Sequence, residues 1–455
     1  MKKVLNVIKD KAFLRRFFAV AFPVMVQNFI TFIVGFVDNI MVSSVSNEAV
    51  SAIYAANQAT FLFFILTYGI ISGAAIYIQQ YNGANDEMHL RQAFRFKWLA
   101  MGALLLVVMP LYYFLGDRLI WFYCKSDINA TQIYELGVQY LKIILISYIP
   151  YGISCIYANT FREISKTKIP MLTALMAFII NVTFNAIFIY GLKMGVIGAA
   201  IATVIARIAE MIVLIAVAHL KREKFCLRLF THFRIEKVLL KDLIKKSIPL
   251  FINEAMWSTG MIMLSLAYAQ RDSVLSALSV VSTVSEVFNI IFQGLCVGIG
   301  VMVGNTLGAN KLDEAKENAF KIYVLGLIIS ICVGIIVIAL SPVIPLMFSK
   351  VTPEQKKLAT QLIIVFASLL WAFSLCNCGY ATIRSGGKAL MTLLLEESCM
   401  WLLAVPAAWI LATFTNVSLV VIYIVVQGVD VIKAFAGIII VKRGAWVKNL
   451  TIKEQ

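Results

Sequence analysis

The chain has 455 residues, of which 61% are hydrophobic and only 14% charged, and it carries a formal net charge of +16. About a quarter of an ordinary soluble domain is charged, so this composition, with a mean hydropathy of +0.88, excludes a soluble fold. It also leaves no polar domain to host separate chemistry.

Apolar runs at 16–44, 50–79, 93–116, 132–160, 171–192, 196–219, 246–271, 274–303, 319–341, 356–383, 389–414 and 417–441 predict twelve spanning helices. Each is long enough to cross about 30 Å of hydrocarbon at about 1.5 Å per residue. The first run follows "MKKVLNVIKDKAFLRR", which resembles the basic front of a signal peptide. Its apolar core is too long and lacks a small-residue cleavage site, so it reads as a retained helix. With the N-terminus inside, 30 of the 40 Lys/Arg lie in or beside segments on that face, against 7 on the other. That asymmetry places both termini in the cytoplasm of a cell that carries the chain in its plasma membrane. The basic excess is then topology and lipid contact, and no nucleic-acid partner is expected. Seven of the eight cysteines fall in spans or inner segments and only Cys124 faces outward, so no disulfide framework is expected.

A repeat runs through this pattern. "GAN" occurs at Gly83–Asn85 and Gly308–Asn310, Pro23 of "AFPVMVQN" matches Pro249 of "SIPLFINE", and Ser51-Ala52 matches Ser276-Ala277. Ala93-Phe94 matches Ala319-Phe320, and "YANTFREISK" parallels "YATIRSGGK", aligning Arg162 with Arg384 and Lys166 with Lys388. All offsets lie between 222 and 226. The expected fold is an all-α polytopic membrane protein, with two parallel six-helix lobes around a central cleft. An N-lobe at 1–220 and a C-lobe at 246–455 flank a basic linker at 221–245. In the repeated turn, Gly is expected to permit the tight inner turn and Asn to cap the chain that follows. Pro23 and Pro249 each free a backbone carbonyl, so both are expected as hinges.

Taken together, Pro23, "GFVDNIMVS" with Asp38, "GVIGAAIATVIARIAE", "VGIGVMVGNTLGA" and "WLLAVPAAWIL" resemble the multidrug and toxic compound extrusion family over essentially the whole chain. The resemblance implies secondary export of organic cations and other amphipathic compounds, driven by inward Na⁺ or H⁺. It implies a coupling-ion site at Asp38, Asn181, Asn185 and Thr203, with Asp38 a candidate Na⁺ ligand. Family members with a well-defined site carry a second aspartate where this chain has Asn185. The family's seventh-helix glutamate falls on Glu254, and its eleventh-helix acid on Glu396.

Ionisable groups inside spans cost a few kcal/mol each, so each needs an account. The acids are Asp38, Glu135, Glu210, Glu254, Glu286, Glu396, Glu397 and Asp430; the bases are Lys142, Arg207 and Lys433. This acidic interior favours cationic cargo or a cationic coupler. Arg207 with Glu210, and Asp430 with Lys433, stand at i,i+3 and can neutralise each other. Asp38 has no base within a turn, and Asn181, Asn185 and Thr203 reach similar depth. That set suits Na⁺ or a protonated acid, the alternative being an interhelical hydrogen-bond cluster. Glu254, Glu286 and Glu396 could hold a cation; the alternative is acids buried in protonated form. Trp257, Trp371, Trp401 and Tyr380 could stack on flat cargo, or simply pack.

"RSGGKAL" lacks the leading glycine and the Ser/Thr of a phosphate loop. No catalytic constellation appears, so neither an enzyme nor a cofactor is expected. The reading is a cation-coupled antiporter of organic cations, acting as a monomer in the lipid bilayer. The competing reading is a flippase for a lipid-linked saccharide, which would need unpaired basic residues to hold pyrophosphate.

Overall fold

The computed structural model describes residues 7, 9–125, 129–227, 229, 233–271, 274–348 and 352–452, and their regular structure is helical. Twelve helices are long and apolar enough to cross a membrane. They are α1 (Lys11–Ser43), α2 (Asn47–Ala84), α3 (Glu87–Cys124), α4 (Ala130–Glu163), α5 (Lys168–Gly191) and α6 (Gly195–Leu220). The second set is α7 (Lys237–Tyr268), α8 (Leu275–Gly308), α9 (Leu312–Leu340), α10 (Pro353–Ser385), α11 (Ala389–Phe414) and α12 (Leu419–Arg443). Large apolar side chains such as Leu106, Val107 and Phe114 on α3 are exposed, as a lipid-facing surface requires.

Several helices outrun their apolar segments at the cytoplasmic side assigned from charge. α2 continues to Ala84, α3 starts at Glu87, α7 at Lys237 and α9 at Leu312. Hydropathy marks only the stretch in hydrocarbon, whereas backbone hydrogen bonding continues until a cap or turn stops it. Asp86 caps α3, its Oδ1 accepting from the His89 N–H at 3.1 Å. Thr352 and Gln355 form a reciprocal capping box on α10.

The linker between the halves is partly packed rather than purely solvated. Phe225 is fully buried among Phe94, Tyr157 and Phe161. Glu223, also buried, accepts from Lys166 Nζ at 2.7 Å. Burial pushes the Cys226 thiol up to about 11, which leaves it protonated and unreactive near neutral pH.

The repeat is visible in the backbone. Left-handed residues pair at the sequence offsets: Asn85 with Asn310, Ser165 with Gly387, and Arg222 with Gly444. This corrects the expected roles in the Gly-Ala-Asn turn. Gly83 and Gly308 are still helical, and the asparagines take the left-handed conformation, at φ 56° and 58°. Asn tolerates that region through local hydrogen bonding. The cap of α3 falls to Asp86 instead of Asn85.

The chain forms two compact units: one of Met1–Phe22, Gln79–Asn85 and Ile248–Gln455, the other of Pro23–Ile78 and Asp86–Ser247. In the first, α10 packs against α8, α9 and α12. In the second, α6 packs against α4 and α5. The second also buries an ion pair completely: Lys97 Nζ reaches Glu163 Oε1 and Oε2 at 2.7 and 2.6 Å, and Thr160 Oγ1 at 3.1 Å. Removing one partner strands a buried charge. Lys97→Met is therefore expected to destabilise the protein by about 3–5 kcal/mol, and Lys97→Met with Glu163→Gln to recover most of it. Thermal unfolding in detergent checks both, and equal losses in the single and double variants would refute the pairing argument.

Candidate functional site

Two polar clusters sit on the spanning helices, one in each unit. The first joins α1, α5 and α6. Asn185 Nδ2 donates to Asp38 Oδ1 at 2.6 Å and to Asn181 Oδ1 at 3.2 Å, and Asn181 Nδ2 donates to Thr203 Oγ1 at 3.4 Å. Thr203 in turn donates to the Ala199 carbonyl at 3.0 Å. Asn181 and Asn185 are buried, Asp38 and Thr203 partly so. The four predicted residues are thus brought into one chain of contacts. Asn185 Oδ1 is buried with no hydrogen-bond partner, an acceptor left in reserve beside the carboxylate.

The backbone changes form directly after this cluster: α5 finishes in a π turn at Ala186–Gly191. A π turn carries an extra residue and re-aims the side chains before and after it. The equivalent fifth helix of the second half, α11, carries its own π turn at Met400–Ala404, just beyond Glu396. No residue pattern in the sequence had marked either one.

The second cluster lies on α7, α10 and α11. Asn253 Nδ2 donates to Glu396 Oε2 at 3.0 Å. Arg384 NH2 reaches the same Oε2 at 3.4 Å, and Arg384 NH1 approaches Glu254 Oε1 at 3.9 Å. Glu254 and Glu396 therefore flank one guanidinium, and all three side chains are about 15–21% exposed. Apolar-run boundaries placed Arg384 just past the end of a span, outside the count of interior charges. The helix in fact continues to Ser385, which places this base against the acids. The interior is correspondingly less acidic than the sequence count implied. The only advance sign was the alignment of Arg384 with Arg162, which likewise contacts its own half's first helix: Arg162 Nε donates to Gln27 Oε1 at 3.1 Å.

Glu286 is exposed on α8 and makes no hydrogen bond or ion pair with Glu254 or Glu396. Glu397 is buried, and neither of its oxygens has a hydrogen-bond partner. The two i,i+3 pairs form as the spacing required, Arg207–Glu210 at 2.9 Å and Asp430–Lys433 at 3.1 Å. Arg207 also lies 5.0 Å from the centre of the Tyr151 ring. Among the aromatic candidates Tyr380 is buried, Trp257 is exposed, and Trp371 and Trp401 are intermediate. Among the described residues no group of three or more His, Cys, Asp or Glu is arranged to hold a metal ion.

Comparison with known proteins agrees with the duplicated, twelve-helix fold. The model of the MatE family matches residues 23–187 and 249–410, each match opening on one of the paired prolines. The chain is 24% identical over 399 residues to "Probable multidrug resistance protein YoeA" of Bacillus subtilis (strain 168), covering 83% of this chain and 82% of that one. It is 23% identical over 453 residues to "Probable multidrug resistance protein NorM" of Thermotoga maritima, covering 96% and 93%. Among solved structures it is similar to one described as "Crystal structure of MATE in the bent conformation", with a TM-score of 0.87 at 17% identity over 98% of both chains. Another, described as "Reverse polarity of binding pocket suggests different function of a MOP superfamily transporter from Pyrococcus furiosus Vc1 (DSM3638)", has a TM-score of 0.85 at 16% identity, over 95% of this chain and 96% of that one. Two family matches in tandem, twelve spanning helices and a shared fold lead to one conclusion: this chain is a multi-pass membrane protein that belongs to the MatE family.

Proposed function

We propose that the protein is an antiporter that exports organic cations or amphipathic metabolites by alternating access, driven by inward Na⁺ or H⁺. The observation that carries this is the Asp38 cluster. One carboxylate is in contact with a buried amide whose oxygen has no partner. Rotating the Asn185 amide by half a turn exchanges donor for acceptor. Two hard oxygens then face a Na⁺, with Thr203 and Asn181 behind them. Protonating Asp38 instead gives the carboxyl a hydrogen to donate to that same oxygen. Either ion changes the charge of the cluster by one, and the change is reversible.

The names of the relatives, multidrug resistance proteins, support a drug-like cargo. The pair Glu254 and Glu396 supports a cationic one. A cation arriving beside them competes with Arg384 for the carboxylates, so binding substitutes one positive partner for another. The flippase reading is weaker, because the guanidinium it would need for pyrophosphate already faces two acids. Hinge roles for Pro23 and Pro249 are supported by chain tracing. The polypeptide passes from one compact unit to the other between Phe22 and Pro23, and between Ser247 and Ile248. We further assign the protein to the plasma membrane, as a monomer with both termini in the cytoplasm.

Transport in proteoliposomes with separately imposed Na⁺ and proton gradients tests the proposal. Efflux of a cationic dye is expected with one of the two gradients and not without either. Dye movement indifferent to both gradients, or absent while a fluorescent lipid-linked saccharide crosses the bilayer, would overturn it. A reporter fused to the C-terminus is expected to be active only in the cytoplasm.

A further inference from the structure

The Gly-Ala-Asn repeat is not explained by the ion and cargo clusters. Its two copies end α2 and α8, and these helix ends touch each other reciprocally. A Cβ built on Gly83 would collide with the carbonyl oxygen of Asn305, and one built on Gly308 with that of Gln80. Each glycine thus meets the residue three positions before the other glycine, and the repeat maps one contact onto the other, Gly83 onto Gly308 and Gln80 onto Asn305. The result is a local two-fold crossing in which backbone lies on backbone, possible only because Gly83 and Gly308 carry no side chain.

Three further contacts strengthen the joint. Upstream on α8, Gly300 and Gly304 at four-residue spacing receive the side chain of Gln79. Asn82 Nδ2 donates to Asn305 Oδ1 at 2.9 Å, a bond between repeat-related helix ends. Gln80, fully buried, donates through Nε2 to the Ser385 carbonyl at 2.8 Å and to the Lys448 carbonyl at 3.2 Å, while its Oε1 accepts from the Leu450 N–H at 2.7 Å. The chain after α12 is thereby held onto the crossing. Trp446 anchors it, almost wholly buried, with its backbone against Gly386 and the Leu450 side chain against Gly387. Asn449 Nδ2 adds a bond to the Gly308 carbonyl at 3.4 Å.

The start of α1 joins the same assembly. Lys321 on α9 pairs with Asp10 at 2.8 Å and lies 5.3 Å from the centre of the Phe13 ring, and Phe17 occupies the space beside Gly298. All of these residues fall within one compact unit, although Asp10, Phe13, Phe17 and Gln79–Asn85 come from the first half of the sequence and the rest from the second.

We propose that the duplicated motif is the inner gate of the transporter: the crossing of α2 and α8 at Gly83 and Gly308 closes the cytoplasmic side, and Gln80 latches it to the C-terminal segment. This rests on the alternating-access reading, in which the inner ends of the two halves must separate once per cycle. The joint suits that task. Its packing is close enough to seal a backbone-wide gap, and beside the one ion pair of Lys321 with Asp10 it is held by a handful of neutral hydrogen bonds that water can replace on opening. The tail gives the gate a handle on the cytoplasmic surface, because anything that pulls residues 446–451 away breaks the Gln80 hydrogen bonds to Lys448 and Leu450 and leaves the one to Ser385.

The test is a reversible lock. Asn82→Cys with Asn305→Cys places two thiols where the side chains now share a hydrogen bond. In proteoliposomes a mild oxidant is expected to form the 82–305 disulfide, identified by mass spectrometry, and to lower dye transport at least tenfold. Reduction should restore it, and neither single variant should respond. If the unoxidised double variant and the unmodified protein both fail to transport, the functional reading falls, whatever the disulfide does. If transport is normal before oxidation and continues after complete cross-linking, the gate falls and the functional reading stands. Failure of the thiols to cross-link also overturns the gate. A second variant guards against misfolding: Gln80→Leu keeps the helix and removes the latch. It is expected to raise labelling of a cysteine at position 305 by a membrane-permeant maleimide about tenfold, and unchanged labelling would count against the latch.

Discussion

Asp38→Asn is expected to reduce coupled transport to the background of empty membranes, while thermal stability changes by less than about 1 kcal/mol. The structure explains the second half of that statement. An Asn at 38 keeps the volume, and its amide can donate to Asn185 Oδ1, which now has no partner, while its own oxygen still accepts from Asn185 Nδ2. The fold keeps its contacts and loses only the group that can change charge. Asn185→Asp is the complementary variant. It restores the second acid that the family resemblance implies, and places two carboxyls where a hydrogen bond of 2.6 Å now stands. Two acids at that separation exchange protons as a pair. The pH profile of transport is therefore expected to move, while folding survives. Wild-type transport in Asp38→Asn, with an unmoved pH profile in Asn185→Asp, would reduce the cluster to a contact between helices and shift coupling to the other half of the chain.

The second large effect is expected at Glu254, Glu396 and Arg384. Glu254→Gln and Glu396→Gln are each expected to lower transport of a cationic dye about tenfold, and the double variant by much less than the product, because both acids act on one guanidinium. Stability is expected to behave differently. Either single variant leaves Arg384 one carboxylate, whereas the double variant removes both groups that offset its charge. Its side chain is only 21% exposed, so the double variant is expected to lose up to about 3 kcal/mol of stability. Adding Arg384→Met should return expression and thermal stability without returning transport. Recovery of transport in the triple variant would show that the acids merely compensate the arginine. Independent, multiplicative losses would separate Glu254 from Glu396 and dissolve the shared site.

Spans, charge pairs and the duplication were legible in the residues because the rules behind them are local. A helix in hydrocarbon satisfies its own backbone, so each span shows itself as an uninterrupted apolar run whatever its neighbours are. Arg207 with Glu210 and Asp430 with Lys433 needed only the helical repeat to be paired. Asp38, Asn181, Asn185 and Thr203 were brought into one list by family resemblance and similar depth. Their order of contact, and the unpartnered oxygen on Asn185, came only from helix packing.

Other features depended on where helices end and how they are rotated, and neither is written in hydropathy. Arg384 was placed at the edge of a span, yet two more residues of helix carry it to Glu254 and Glu396. Gly83 and Gly308 read as turn residues from their neighbours, but the turn is made by Asn85 and Asn310. The glycines are explained by a second helix lying on them. A glycine is equally at home in a turn and in a close crossing, and its sequence context can be the same in both. That a segment spans the bilayer follows from the free energy of its own residues in lipid, so the sequence alone determined the number and order of the spans. Which face meets which partner depends on the packing of every helix against the others, and only the tertiary structure decided it.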